Sequence, residues 1–145
     1  MIIIGRGYFL CHRVWRPRGR NARQPHDRSF ESAIKFDIMT LREFNAIMAH
    51  NKLTLVDFYA SWCGPCKAMH YTLDRLEERM RGLVDVVRID IDHFENAELV
   101  EHFRIMAVPT LMIFLSGRKL WRESGVLSLE SLSEVVYRYE RVEAF

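Results

Sequence analysis

Cysteine is scarce in this sequence, which contains only Cys11, Cys63 and Cys66 among its 145 residues. So few thiols exclude the disulfide framework that stabilises many small secreted domains. Long apolar runs are also missing, because no stretch approaches the roughly 20 residues that a membrane-spanning helix needs. Charge of one sign does not dominate either, since 21 basic and 19 acidic residues leave a formal net charge of +2. The composition, with 49% hydrophobic and 28% charged residues, is that of an ordinary globular protein.

Basic residues are concentrated at the beginning of the chain. Residues 1–37 contain eight basic and three acidic residues, whereas the remainder contains 13 basic and 16 acidic residues. The stretch 13–28 is rich in arginine and shows no hydrophobic periodicity. We therefore expect residues 1–30 to be a basic, disordered extension and residues 31–145 to form one domain. A transit-like peptide, a nucleic-acid-binding arm and a later start of translation are the alternatives for this extension.

Strands and helices alternate along the rest of the sequence. Alternating apolar residues predict a short edge strand over 33–38, and Thr40 with Glu43 predicts a capping box at the start of a helix. Apolar runs and helical apolar stripes predict the later elements, which are a strand over 53–59, a helix from the cysteines to Met80, a strand over 84–91, a helix over 96–103, a hairpin of strands over 110–115 and 119–123, and a last helix capped by Ser128. This order predicts an α/β fold with a mixed sheet and helices on both faces.

Cys63 and Cys66 form a close pair between an apolar strand and a helix. Two thiols at this spacing on a strand-to-helix turn indicate a dithiol/disulfide redox site. A helix start lowers the pKa of a cysteine, because unpaired backbone N–H groups stabilise the thiolate there. Cys66, one turn further along, is close enough to resolve a mixed disulfide. Pro65 suits the first helical turn, and Gly64 leaves space for a substrate backbone.

Asp57 is an acidic residue within the apolar run 53–59. If its side chain is buried, loss of hydration raises its pKa, and the carboxylate can take the proton of Cys66 and return it later. The alternative is an aspartate at the solvated end of its strand, bonded to the backbone. The sequence leaves both interpretations open.

Metal binding is not expected. One Cys-x-x-Cys provides two ligands, whereas a structural zinc site needs four, and no spacing links the pair to Cys11 and His12. The six histidines are expected to be solvated or on helix surfaces: His12, His26, His50, His70, His93 and His102. Cys11 is expected to be a free thiol, with a regulatory disulfide as the alternative. A non-catalytic interaction domain is a further possibility, disfavoured because both cysteines of the pair are present.

The segment from Val56 to Lys67 resembles the active-site segment of thioredoxins, with an aspartate six residues before the first cysteine. Val108-Pro109-Thr110 is similar to the cis-proline loop of that family, and Gly125 matches a glycine at its substrate groove. The resemblance extends from about residue 34 to residue 139 and implies a thioredoxin fold.

The resemblance also implies roles for individual residues. Cys63 is the attacking nucleophile, Cys66 the resolving thiol, Asp57 the proton acceptor and Pro109 the cis-proline that shapes the groove. The surface that meets substrate proteins is expected to consist of Trp62, Gly64, Pro65, Ala107, Val108 and Gly125.

The expected function is that of a protein-disulfide reductase in cell redox homeostasis, which passes electrons from a thioredoxin-reductase-type donor to protein disulfides. Gly64-Pro65 between the cysteines favours the reducing members of the family. We expect no cofactor, no metal, no nucleic acid or membrane partner, a monomer, and a cytoplasmic location. The alternative is an exported or organellar thiol oxidoreductase whose basic extension is a targeting segment.

Three positions depart from the family pattern. Tyr59 replaces a common tryptophan and keeps an aromatic wall. Arg88 stands where a lysine often neighbours the buried aspartate, and its permanent charge is expected to hold the pKa of Asp57 lower than lysine would. Ala107 replaces a common glycine and is expected to narrow the groove slightly.

Overall fold

Four strands and four helices alternate in the computed structural model, which describes residues 38–142. The elements in chain order are α1 (Leu41–Met48), β1 (Leu53–Tyr59), α2 (Gly64–Arg79), β2 (Val84–Asp90), a 3₁₀ turn (Phe94–Asn96), α3 (Ala97–His102), β3 (Thr110–Leu115), β4 (Arg118–Ser124) and α4 (Leu129–Val142). The predicted elements from residue 40 onwards are confirmed, with the 3₁₀ turn as an addition. The predicted extension over 1–30 lies outside the described residues, as does the predicted strand over 33–38 apart from Ile38.

The four strands form one mixed sheet in the order β2-β1-β3-β4. β1 runs parallel to β2 and antiparallel to β3, and β3 runs antiparallel to β4. The mixed sheet predicted from the order of elements is therefore confirmed. Since β1 and β3 are antiparallel, the carboxyl end of β1 lies beside the amino end of β3, and Phe58 pairs with Thr110. Residues that follow β1 and residues that precede β3 consequently meet at one edge of the sheet.

Helices cover both faces of this sheet. Leu53 and Leu55 of β1 pack in a cluster with apolar residues of α2 and α4, whereas Val56 and Phe58 pack in a second cluster with residues of α1 and α3. Successive side chains of a strand point to opposite faces, so a strand covered on both sides is apolar throughout. This explains the apolar run that predicted β1, and it makes the buried Asp57 in that run unusual.

Local signals set the ends of several elements. The predicted capping box of α1 is present, because the Glu43 N–H donates to Thr40 Oγ1 at 3.3 Å and the Thr40 N–H donates to Glu43 Oε2 at 2.9 Å. A two-residue turn joins β3 to β4, with φ values of 48° at Ser116 and 77° at Gly117. Positive φ at both turn positions matches the twist of a hairpin. None of the helices in residues 38–142 is both long and apolar enough to cross a membrane.

Candidate active site

The cysteine pair lies at the junction of β1 and α2. Cys63 is the N-cap residue of α2, and its Sγ accepts a hydrogen bond from the Cys66 N–H at 3.2 Å. The two residues form a disulfide, with their Cα atoms 5.3 Å apart. Pro65 occupies the first turn of the helix, where a missing N–H breaks no hydrogen bond. The pair can therefore exist as a disulfide, and the helix start supplies an N–H donor to Cys63.

The loop before β3 forms the opposite wall of the site. The Val108–Pro109 peptide bond is cis, as the resemblance to the cis-proline loop implies. Cys63 Sγ lies 3.8 Å from the carbonyl oxygen of Val108. The Gly125 N–H donates to the carbonyl oxygen of Pro109 at 2.9 Å. Cys63 and Val108 are 45 positions apart in the sequence but lie in contact. Antiparallel pairing of β1 and β3 places the loop after β1 and the loop before β3 at the same edge of the sheet.

An apolar groove of about 510 Å³ opens beside Cys63. Its lining residues are Trp62, Cys63, Gly64, Pro65, Ile91, Ile105, Met106, Ala107 and Val108. Trp62 and Met106 stand out from the surface, with exposed fractions of 71% and 90%. An open, apolar groove of this kind suits an extended segment of another protein more than an enclosed small molecule.

Five of the six predicted substrate-contacting residues line this groove, and Gly125 does not. Pro109, which was predicted to shape the groove, is buried and accepts the hydrogen bond of the Gly125 N–H. Ile91, Ile105 and Met106 also line the groove and were not among the predicted substrate-contacting residues. Ile91 could have been found, because it directly follows β2, whose carboxyl end is at the same edge as that of β1.

Asp57 is fully buried, with 0% of its surface exposed. Burial raises the pKa of its carboxyl, and the lowering effects of His70 and then of Arg88 do not cancel this increase. No donor among the described residues meets either carboxylate oxygen with hydrogen-bond geometry. Of the two interpretations that the sequence left open, the solvated strand end is therefore wrong, and the structure has a buried acid with a raised pKa.

His70 is a site residue that the sequence reasoning missed. Its Nε2 lies 3.2 Å from Asp57 Oδ2, without the alignment of a hydrogen bond, and its ring meets the Tyr59 ring edge-on with the centroids 4.6 Å apart. His70 lies on α2 with 30% of its side chain exposed, in keeping with the expected helix-surface position, and its contact with Asp57 is what the sequence did not predict. The available signal was its position four residues after Cys66, which places both on one side of a helix.

Arg88 lies directly opposite Asp57 in the pairing of β1 with β2. Its guanidinium nevertheless donates to other carboxylates, to Asp74 Oδ1 at 2.8 Å and to Glu77 Oε2 at 3.4 Å. Arg88 lowers the pKa of Asp57, but its effect is smaller than that of His70. Within residues 38–142, no group of three or more His, Cys, Asp or Glu side chains could hold a metal ion.

Comparison with known proteins identifies the thioredoxin family. The family model for thioredoxin matches residues 35–138. A thioredoxin of Staphylococcus aureus is 35% identical over 85 residues, which are 59% of this chain and 80% of that protein. A bifunctional thioredoxin reductase/thioredoxin of Mycobacterium leprae is 30% identical over 109 residues, 72% of this chain; the match covers only 23% of that protein.

A solved structure shows the same relationship in three dimensions. Chloroplastic thioredoxin z is similar to this chain with a TM-score of 0.64 and 33% sequence identity. The match covers 75% of this chain and 97% of that chain. The predicted α/β thioredoxin fold is therefore confirmed, and the cysteine pair supports thiol–disulfide exchange. The chain belongs to the thioredoxin family of thiol–disulfide oxidoreductases.

Proposed function

We propose that this protein reduces disulfides of other proteins through Cys63 and Cys66. The observation that carries this proposal is the disulfide of Cys63 and Cys66 at the start of α2, beside an open apolar groove. Cys63 lines that groove, whereas Cys66 does not. This difference supports the assignment of the first attack to Cys63 and the second to Cys66.

The reaction begins with the reduced protein. The Cys63 thiolate attacks one sulfur of a substrate disulfide and forms a mixed disulfide, while the other substrate sulfur leaves as a thiolate and takes up a proton. Cys66 then loses its proton and attacks Cys63 Sγ, which breaks the bond between Cys63 and the substrate. The second substrate sulfur leaves and is protonated. Two electrons have then passed to the substrate, and the cysteine pair is the disulfide seen in the structure.

Asp57 is proposed as the acceptor of the Cys66 proton. A general base works best when its pKa is near the working pH, and burial raises the pKa of Asp57 towards that range. Side chains two positions apart on a strand share a face, so Asp57 lies on the same face of the sheet as Leu53 and Leu55. This face is covered by α2, the helix that carries Cys66. The carboxylate therefore becomes a carboxylic acid while Cys66 attacks, and it returns the proton when the pair is reduced again.

The groove is proposed to bind extended segments of substrate proteins. Trp62, Gly64 and Pro65 form one wall of this surface, and Ala107 and Val108 form the other. Pro109 and Gly125 are assigned a supporting role, because the Gly125 N–H bond to the Pro109 carbonyl holds the second wall in place.

A thioredoxin-reductase-type enzyme is the proposed electron donor. The name of the Mycobacterium leprae relative combines thioredoxin reductase with thioredoxin, which supports a partnership of these two activities. We also propose that the protein acts in electron transport and redox homeostasis, that it is a monomer, and that it is located in the cytoplasm. The similarity to a chloroplastic thioredoxin supports the organellar alternative, with residues 1–30 as a targeting extension.

The test is a turbidity or fluorescence assay of insulin reduction with dithiothreitol as the electron source. Cys63→Ser should lose the accelerated reduction completely. In a separate reaction without dithiothreitol, Cys66→Ser that has been reduced beforehand should accumulate a mixed disulfide with the substrate, visible as an added mass that later addition of dithiothreitol removes. Wild-type activity in Cys63→Ser, or a mixed disulfide formed through Cys66 instead, would contradict the proposed function. Cys11→Ser is the matched control, because it removes a thiol outside the pair.

A further inference from the structure

His70 and Cys66 lie on the same side of α2, one helical turn apart. Cys66 packs in a small cluster with Ala60, against which Tyr59 is also packed. The His70 ring rests edge-on against the same Tyr59. The resolving thiol and the imidazole therefore face the same part of β1, at the level of the buried Asp57.

The imidazole lies between the Asp57 carboxyl and solvent. Its Nε2 is buried and 3.2 Å from Asp57 Oδ2, whereas 30% of the His70 side chain is exposed. Asp57 itself has no exposed surface. A proton that Asp57 receives during the reaction must leave through a neighbouring group, and the structure places a partly exposed imidazole in contact with it.

The other charged and titratable groups around this contact do not fit that task. Arg88 faces Asp57 from β2, but arginine does not release its proton near neutral pH, and its guanidinium is bonded to Asp74 and Glu77 of α2. Tyr59 of β1 has a phenol, a group that ordinarily titrates near pH 10. A histidine ordinarily titrates at about pH 6.5 and can both accept and release a proton at neutral pH.

We propose that His70 carries the proton of the Cys66 thiol from Asp57 to solvent. The S–H bond of Cys66 breaks as an O–H bond forms on Asp57, and this O–H bond then breaks as an N–H bond forms on His70 Nε2. The imidazolium releases a proton to water from the exposed part of its ring, and water protonates the departing substrate thiolate. His70 is a positioning residue in this scheme, since it acts through Asp57, and the inference rests on the proposed role of that residue.

The experiment measures the resolution step as a function of pH. Reduced protein is mixed with insulin, samples are quenched with acid, and mass spectrometry follows the decay of the mixed disulfide between pH 5.5 and 8.5. In the wild type, the pH dependence of the rate should include the step in which the imidazole takes up and releases the proton. In His70→Gln that contribution to the pH profile should disappear, and the rate at pH 7 should fall by about tenfold, less than the roughly 100-fold or more expected for loss of the general base itself.

Two further variants separate proton transfer from charge and from packing. His50→Gln makes the same substitution at an exposed histidine away from the site and should keep the wild-type profile. His70→Lys places an ammonium at this position, which holds its proton at neutral pH, so this variant should show the same altered pH profile and stay slow. A wild-type profile in His70→Gln, or a wild-type rate in His70→Lys, would overturn the inference.

A double-mutant cycle with Asp57→Asn distinguishes this inference from the proposed function. Because His70 acts through Asp57, the double variant should resolve the mixed disulfide at the rate of Asp57→Asn alone. Additive losses in the cycle would show an independent effect of His70 and refute the relay. If Asp57→Asn is slow and His70→Gln is not, the relay fails while the proposed role of Asp57 stands; if Asp57→Asn keeps the wild-type rate, both fail.

Discussion

The backbone N–H of Cys66 points at the sulfur of Cys63, with 3.2 Å between the two atoms. This contact arises because Cys63 is the N-cap of α2 and Cys66 lies in the first turn of that helix. In the reduced protein, the same N–H can donate to a thiolate on Cys63. The helix dipole further stabilises negative charge at the N-terminus of a helix. The contact therefore favours Cys63 over Cys66 as the reactive thiol.

Alkylation should show this difference directly. With limiting iodoacetamide at pH 7, Cys63 of the reduced protein should be modified roughly tenfold faster than Cys66, because it is the stabilised thiolate and lies on the groove. Peptide mapping by tandem mass spectrometry would measure both rates, with Cys11 as an internal reference in a separate peptide. Equal rates at the two sites would show that the helix start does not select the nucleophile.

The stability of the protein should depend on pH through Asp57. Because burial raises the pKa of this carboxyl in the folded protein, the folded state binds the proton more tightly than the unfolded state. The stability that Asp57 contributes is then present at low pH, and it is lost as the pH rises from the unfolded value of about 3.9 through the raised folded value. An asparagine side chain carries no charge, so Asp57→Asn should be more stable than wild type at pH 7 by about 1–3 kcal/mol.

Urea unfolding of the oxidised protein at about pH 3 and pH 7 measures this effect, since the lower value is below the ordinary pKa of aspartate. The advantage of Asp57→Asn should shrink towards zero at the lower pH, where the wild-type carboxyl is protonated in both states. Asp92→Asn, which changes an exposed aspartate outside the site, should show no such pH-dependent gain. If Asp57→Asn is less stable than wild type at pH 7, the charged carboxylate is stabilised by contacts beyond those with His70 and Arg88.

The glycines at positions 125 and 64 should respond differently to the same substitution. Gly125 has a φ of 104°, whereas Gly64 begins α2, and no atom lies within 4 Å of a Cβ added at either position. A difference in stability between the two alanine variants would therefore report backbone strain, because neither added methyl group overlaps another atom. Gly125→Ala should lower the free energy of unfolding by about 1–2 kcal/mol, and Gly64→Ala should leave it unchanged or raise it by up to about 1 kcal/mol.

Chemical unfolding of the oxidised variants would provide both values. Gly125→Ala should also shorten the lifetime of the amide proton at position 125 in hydrogen exchange, because that N–H donates to Pro109. Equal stabilities for the two variants would indicate that the backbone at Gly125 relaxes into an ordinary conformation.

Met106 should contribute to the binding of protein substrates but not to the chemistry. Its side chain is 90% exposed and lines the groove beside the cysteines. Met106→Ala should raise the KM for insulin by about threefold to tenfold with little change in kcat, since it removes binding that is shared by ground state and transition state. Reduction of a small disulfide such as oxidised glutathione should change less.

Tyr71→Ala is the matched control for this substitution. Tyr71 is also a large exposed side chain, at 66%, but it is not among the groove-lining residues. Its removal should leave the KM for insulin at the wild-type value. A similar rise in KM for both variants would mean that the binding surface extends well beyond the groove.

Local sequence signals were sufficient for most of the architecture. The apolar run of β1, the helical stripe of α2 and the capping box at Thr40 are each encoded by neighbouring residues. Because strand and helix patterns depend on side chains only a few positions apart, these elements and their order could be predicted. The reactive pair was found for the same reason, since both cysteines and the helix start lie within four residues.

Packing between distant elements determined the surroundings of the active site. The burial of Asp57, the contact of His70 with it, and the turn of Arg88 towards Asp74 depend on how α2 packs on β1 and β2. Sequence spacing placed His70 on the side of Cys66, but it could not measure how deeply that side is covered. The groove likewise joins Cys63 to Val108 because antiparallel strands bring their loops together. The fold and the reacting thiols thus follow from neighbouring residues, whereas the surroundings of Asp57 and the lining of the groove follow from contacts between parts of the chain that are far apart in sequence.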